Sequence, residues 1–109
     1  MSITKIDKLN RNFFLGFIRL HLMHHASVEP IFGLDMIREL GRHGYELSPG
    51  TLYPILHGLE RDGFLRSQKK VVEGKARKYY TLTNSGSAAL HQALGKIREL
   101  MEEITPVSR

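Results

Sequence analysis

Residues 48–65, SPGTLYPILHGLERDGFL, combine a helical pattern with two prolines and a glycine close to the front of the helix. Ser48 is predicted as the N-cap, which puts Pro49 at the first helical position, where its missing N–H costs nothing. The alternative cap is Thr51, which moves Pro54 into the first turn. Either choice gives a stiff, glycine-containing helix start whose free N–H groups attract anions. The apolar residues that define this helix are Leu52, Ile55, Leu56 and Leu59.

The excess positive charge lies in the segment that follows this helix. The formal net charge is +5. Residues 64–80 hold six basic residues and one acidic residue, while the rest of the chain holds equal numbers of each sign. After Gly63 ends the helix, the pattern predicts two strands, FLRSQKKVV and ARKYYTLT, around EGKA. A basic hairpin in this setting favours an anionic partner over a merely solvated loop.

Three further helices are predicted around these two elements. Residues 6–26 carry a wide apolar face, which is typical of a helix buried on more than one side. A shorter helix covers about residues 32–42, and Gly44 suits the position after its end. Thr83 or Asn84 caps a last helix within residues 83–105, and Pro106 ends it.

The apolar residues of the last helix follow a heptad spacing, which favours pairing with a second copy of the chain. The first helix is predicted to contribute to the same interface. Packing of the last helix only on its own domain is the alternative. The predicted interface residues are Phe13, Phe17, Leu20, Leu90, Leu94, Ile97, Met101 and Ile104.

The order of elements predicts a mainly α fold with a small β hairpin. We interpret residues 32–82 as a winged helix-turn-helix core between N- and C-terminal dimerisation helices, all within one domain of residues 1–109. In such a core the second helix of the pair enters the major groove N-terminus first, and the wing contacts neighbouring phosphates or the minor groove. The predicted DNA contacts are Ser48, Pro49, Gly50, Thr51, Tyr53 and His57 on the helix, and Lys75, Arg77 and Lys78 on the wing.

Composition excludes several other classes. A chain of 109 residues fits one small domain, whose limited core gains stability from oligomerisation. It has no cysteine, which excludes thiol catalysis and suits a cytoplasmic protein. No apolar run approaches the roughly 20 residues of a membrane helix, and the N-terminus lacks a signal-peptide pattern. With no nucleophile, phosphate loop or paired acids in view, we predict no enzyme and no cofactor.

The segment RLHLMHH holds three histidines, of which His21 and His25 lie four residues apart on one helical face. This spacing allows a metal pair. Since the sequence has no HExxH motif and its spacing indicates no third ligand, we predict no metal site. We expect instead a buried or interfacial histidine cluster, which can respond to pH.

The segment LSPGTLYPILHGLERDGFL followed by KARKYYTLTNSG resembles the PadR family of bacterial transcriptional regulators. The resemblance covers about residues 12–104 and rests on the combination of SPGTLYP, LERDGFL and RKYYTLT. It implies a winged-helix homodimer that binds an inverted-repeat operator in double-stranded DNA, usually as a repressor. It also implies dimerisation largely through the C-terminal helix. A single helix after the wing is like the compact branch of the family.

Two features depart from the family pattern. Many members open the second helix with His-Gly-Tyr-Glu, whereas here Phe32-Gly33-Leu34-Asp35 takes that place and HGYE follows the helix at 43–46. Some multidrug-sensing members stack flat ligands between tryptophans, and this chain has none. Phe13, Phe14 and Phe17 are the aromatic residues that remain to line a cavity.

These observations predict a sequence-specific DNA-binding transcriptional regulator, a homodimeric repressor released by a small-molecule effector. The alternative is a winged-helix protein-interaction module with an acidic protein partner. That alternative explains the basic wing but not the helix start at Ser48–Thr51.

Overall fold

The computed structural model describes residues 5–105, with side chains from residue 8 onward. The described elements are four helices and one two-stranded antiparallel sheet, so the predicted fold class is confirmed. In chain order they are α1 (Lys5–Val28), α2 (Gly33–Arg42), α3 (Pro49–Arg61), β1 (Leu65–Val72), β2 (Lys75–Leu82) and α4 (Asn84–Ile104).

The start of α3 decides between the two predicted caps. The helix begins at Pro49 with Ser48 in extended conformation as the N-cap residue, so the Thr51 alternative is wrong. Pro54 therefore lies inside the helix. The Ser48 side chain does not make the predicted capping bond to the backbone, and its hydroxyl lies 3.4 Å from that of Thr51 instead. The first turn is consequently held by the rigid φ of Pro49 rather than by a side-chain cap.

The hairpin turn is tighter than the predicted EGKA loop. Lys75 and Ala76 belong to β2 and pair with Val72 and Val71, which leaves Glu73 and Gly74 as the connection. Both of these residues have positive φ, 51° and 76°. Two such residues in sequence are the signature of a turn whose twist matches that of the flanking strands. The wing therefore extends as a full eight-residue ladder to its tip.

The last helix is capped by Thr83, whose hydroxyl accepts a hydrogen bond from the Gly86 N–H at 2.9 Å. Gly86 also packs closely against the chain, because a Cβ at this position would lie 2.2 Å from the carbonyl oxygen of Phe64. The helix start is thus locked onto the residues that begin the wing. The predicted helix end at Pro106 lies outside the described residues.

The core lies where α1, α2, α3 and the base of the wing meet. Tyr80 is fully buried, and its backbone pairs with Ile31 in the segment between α1 and α2. This bridge fixes the sheet against the helical part of the domain. The remaining buried apolar residues are Ile18, Leu22, Met23, Ala26, Met36, Leu40, Leu52, Ile55, Leu56, Leu59, Leu65 and Leu90.

Candidate nucleic-acid interface

The N-terminal end of α3 is exposed, which is what contact with another molecule requires. Ser48, Pro49 and Gly50 are exposed, and Thr51 is half-buried. A Cβ added at Gly50 would approach nothing nearer than the Ser48 hydroxyl, at 3.7 Å. The glycine is therefore not required by packing inside the chain. Pro49 has no N–H and the Thr51 N–H donates to the Ser48 carbonyl oxygen, so the missing side chain leaves the backbone of Gly50 itself open to a close approach by an anion.

The two aromatic residues further along α3 differ in their surroundings. Tyr53 is half-buried because its ring packs against Gly33 of α2, where a Cβ would lie 2.7 Å from the ring and its hydroxyl. His57 is exposed, with its ring centre 6.3 Å from that of Tyr53. Tyr53 thus sets the packing of α2 on α3, while His57 is the freer of these two predicted contact residues.

The three predicted wing residues have different roles in the structure. Lys75 is exposed beside the turn. The Arg77 guanidinium lies 4.9 Å from the centre of the Phe32 ring, a cation–π contact that holds it near the start of α2. The Lys78 ammonium lies 3.4 Å from a Glu60 carboxylate oxygen on α3. Lys78 therefore joins the wing to the helix, in addition to any contact with DNA.

Glu60 is a residue that sequence analysis did not place in the site. The Ser67 N–H and hydroxyl on β1 both donate hydrogen bonds to its Oε2 atom, the N–H at 3.1 Å. The Ser67 hydroxyl is the largest cause that lowers the pKa of Glu60, and Lys78 adds to it while burial opposes it. An ionised Glu60 thus ties the C-terminal half of α3 to both strands of the wing.

The strand register places like charges directly opposite one another. Lys69 pairs with Lys78, and Lys70 pairs with Arg77. Paired residues share a face, so each face of the hairpin carries a cationic pair near its tip. Like charges in this position destabilise a sheet. A polyanion bound to the wing would reduce this repulsion on both faces, so the register is suited to a polyanionic partner.

A groove of about 300 Å³ lies between the wing, the first residues of α2 and Tyr53 of α3. It brings Tyr53 together with the three predicted wing residues, whereas Ser48–Thr51 do not line it. Its lining residues are Phe32, Gly33, Leu34, Tyr53, Lys75, Ala76, Arg77 and Lys78.

Comparison with known proteins agrees with this geometry. The model of the transcriptional regulator PadR-like family matches residues 22–92. This chain belongs to the PadR-like family. It is 47% identical over 94 residues to transcriptional regulator Rv3488 of Mycobacterium tuberculosis. The matched residues cover 86% of this chain and 88% of that protein. The family assignment makes the chain a DNA-binding transcriptional regulator and not an enzyme.

Solved PadR-like structures share the fold over nearly the whole chain. A PadR-like transcription factor from Bacteroides fragilis superposes with a TM-score of 0.79 at 28% identity, covering 94% of this chain and all of that one. A PadR family regulator from Eggerthella lenta gives a TM-score of 0.78 at 25% identity, with 91% and 88% covered. The winged helix-turn-helix interpretation of the sequence is therefore confirmed.

In this PadR-like chain the predicted dimer residues lie on α1 and α4 and differ in exposure. Leu90 is buried in the core of its own chain, 6% exposed, because the first turns of α4 pack on that core. It is therefore removed from the predicted interface. Leu94, Met101 and Ile104 are 44–59% exposed, whereas Ile97 is half-buried.

On α1 the exposure falls from one end of the predicted face to the other. Phe13 is 60% exposed and stacks on the half-buried Phe17 with ring centres 5.5 Å apart, and Leu20 is half-buried. An apolar groove of about 510 Å³ runs between α1 and α4 and includes all three of these residues together with Ile97. The two predicted faces thus meet along this groove, where Ile97 is the predicted residue that α4 contributes. Among the described residues, no helix is both long and apolar enough to cross a membrane.

Proposed function

We propose that this PadR-like protein is a cytoplasmic, homodimeric repressor that binds an inverted-repeat operator and is released from it by a small-molecule effector. The observation that carries the DNA-binding step is the shared groove between Tyr53 of α3 and residues 75–78 of the wing. The repressor role is what the resemblance to PadR regulators implies, and it is the part that a transcription assay must decide.

Operator reading is assigned to the start of α3. Ser48 and Thr51 supply hydroxyl groups that can donate to or accept from base edges. The exposed backbone at Gly50 can approach a phosphate oxygen closely. Lys69, Lys75 and the neighbouring basic residues of the wing then hold the helix in register through phosphate contacts that carry no sequence information.

Dimerisation is supported by apolar surface that the single chain leaves uncovered. The radius of gyration is 16.0 Å, whereas a compact domain of this length has about 13 Å. The excess reflects long α1 and α4 helices whose outer faces carry Phe13, Leu94, Met101 and Ile104. A contiguous apolar surface of this kind is typical of an interface. A two-fold related copy placed there would present two reading helices to the two halves of an operator.

Effector binding is supported by a second cavity, of about 610 Å³, between α1 and the turn that leads into α3. This volume lies in the range of small-molecule sites. Phe14, Ile18 and Arg11 line it from α1, and Tyr45 and Thr51 line it from the other side. A ligand in this cavity would contact the residues that set where α3 begins, and so would alter the fit of α3 to the operator.

The experiment that tests the proposal is selection of bound DNA from a fragmented genome at two salt concentrations. We expect recovery of one inverted repeat, with half-sites about one helical turn apart, at both concentrations. Transcription in vitro from a promoter carrying that repeat should fall when the protein is added. Random fragments that are lost at the higher salt would indicate electrostatic binding alone and would contradict operator recognition.

The acidic-protein alternative is distinguished by a substitution at the start of α3. A module that binds an acidic protein uses the wing and does not need the exposed start of α3. Substituting Thr51→Ala would then leave partner binding unchanged. We expect instead that Thr51→Ala weakens binding to the selected operator more than to unrelated DNA of equal length, because its hydroxyl is assigned to sequence reading.

A further inference from the structure

Three histidines from two helices come together beside the turn that precedes α3. His21 and His25 lie one turn apart on α1, and His43 directly follows the last residue of α2. One ring nitrogen of each lies within 4.8 Å of the corresponding nitrogens of the other two. The sequence spacing pointed only to the first two, because the third is supplied by the packing of α2 against α1.

The spacing of the three histidine rings is close to that of histidine ligands around one metal ion. The ring centres of His21 and His43 are 5.1 Å apart, and those of His21 and His25 are 6.4 Å apart. Tetrahedral zinc with Zn–N bonds of about 2.0–2.1 Å keeps its nitrogen ligands roughly 3.4 Å from one another. Small side-chain rotations close this difference, and His43 is exposed and therefore free to make one.

The surroundings also suit a metal ligand set. Burial is the largest cause that lowers the pKa of His21, and the imidazoles of His43, His25 and His24 act in the same direction, while Glu39 opposes them. A lowered pKa favours the neutral form of His21, which is the form that binds metals. The Glu39 carboxylate lies 4.0 Å from the Nε2 atom of His43. A carboxylate in that place can fix the ring orientation of a metal-bound histidine.

We propose that His21, His25 and His43 bind a divalent transition-metal ion such as Zn²⁺, with solvent completing a tetrahedral set. A set of imidazole nitrogens without carboxylate ligands favours zinc, nickel or copper over magnesium or calcium. A metal bound by these three nitrogens would link α1 to the residue that follows α2.

The position of this link connects it to regulation, a step that rests on the proposed function. The His21 ring contacts Phe17 on the predicted dimer face, with centres 5.4 Å apart, and Tyr45 in the turn that leads to α3, at 5.7 Å. A metal bound here would hold residues 43–47 against α1 and so set the start of α3. We expect Zn²⁺ to change operator affinity by at least about fivefold, the lower end of ordinary coupling between sites.

The site itself is tested on the full chain without DNA, by titration with Zn²⁺ and with Co²⁺ as a spectroscopic probe. We expect one metal per chain and the visible absorption bands of tetrahedral Co²⁺. His43→Ala should weaken Zn²⁺ binding by about 100-fold or more, since even the loss of an outer partner of a ligand costs 10–100-fold. His91→Ala on α4, which removes a histidine outside the cluster, should bind as the unchanged chain does.

Absence of the Co²⁺ bands in the unchanged chain would overturn the site, and this result does not depend on any variant folding. Equal Zn²⁺ affinity in the chain and in His43→Ala would overturn it as well. Operator binding with and without Zn²⁺ then tests the regulation separately. If Zn²⁺ binds but leaves operator affinity unchanged, the link to α3 is wrong. If no operator is recovered at all, the proposed function fails while the metal titration still decides the site.

Discussion

Glu60 stands at the junction of α3 and the wing, where it accepts from Ser67 and pairs with Lys78. The ion pair requires the ionised carboxylate, and the hydrogen bonds from Ser67 are stronger to it than to a neutral carboxyl group. Since the folded pKa is lowered, the stabilisation is fully present above the pKa of an unfolded glutamate and is lost as the pH falls through the folded value. The orientation of the wing relative to α3 is therefore expected to weaken in acid.

The first prediction concerns this carboxylate. Glu60→Gln should lower the free energy of unfolding at neutral pH by about 1 kcal/mol, a value reduced from that of a buried charged hydrogen bond because Glu60 is partly exposed. In acid, below the lowered pKa of Glu60, the difference should shrink, because the carboxyl group is then neutral like the amide. Urea unfolding at neutral and at acid pH measures this. Glu99→Gln, which breaks an exposed pair with Lys96 at 3.6 Å, should change little at either pH.

The second prediction concerns the close contact at Gly86. A Cβ there meets the carbonyl oxygen of Phe64, which is backbone and cannot turn aside, so Gly86→Ala should destabilise the chain by about 1–3 kcal/mol. Gly95→Ala on the same helix meets nothing within 4 Å and should stabilise by up to about 1 kcal/mol. Thermal unfolding of both variants compares them. Equal effects would show that helix propensity rather than packing governs Gly86.

At the level of secondary-structure elements, the wing is a regular ladder that keeps cationic pairs on both faces. Its charge was evident from the sequence, as were the two strands. The sequence pattern did not reveal which basic residues of the wing contact other parts of the protein, because this depends on the elements that pack beside the hairpin. Lys78 reaches Glu60 and Arg77 reaches Phe32 only because α2 and α3 pack beside the hairpin.

The third prediction tests the wing as an element. Replacing Lys75 and Arg77 by alanine should weaken binding to all DNA sequences alike, because phosphate contacts carry no sequence information. The slope of log affinity against log salt should become less steep by about two if both residues meet phosphates. Fluorescence anisotropy across a salt series measures the slope. Lys96→Ala, which removes an exposed charge on α4, is the control. An unchanged slope in the wing variant would show that Lys75 and Arg77 do not contact the DNA.

At the level of the whole molecule, the chain is extended, 57 × 40 × 25 Å, with apolar residues along the outer faces of its two terminal helices. A chain of this size buries only a modest fraction of its surface, so these apolar residues stay exposed in the single chain. An inverted-repeat operator also requires two reading helices related by two-fold symmetry. Stability and operator recognition are thus expected to depend on the same interface.

The fourth prediction tests that interface. Leu94→Asp should give monomers in sedimentation and lose operator binding, because a carboxylate would be buried without a partner at the centre of the heptad pattern. Gln92→Asp places the same group on α4 at an exposed position outside the heptad pattern, and should remain dimeric. A stable Leu94→Asp dimer that still binds the operator would move the interface to another surface.

The sequence by itself determined the order of helices and strands, the basic hairpin and the family, because these follow from local periodicity, turn residues and short motifs. It also indicated the start of α3, where the fixed φ of Pro49 acts locally. Only the tertiary structure decided that Leu90 is buried in its own chain, that Glu60 joins α3 to the wing, and that His43 meets His21 and His25. Each of these results depends on which elements pack together, and residues far apart in sequence carry no periodic signal of their contact.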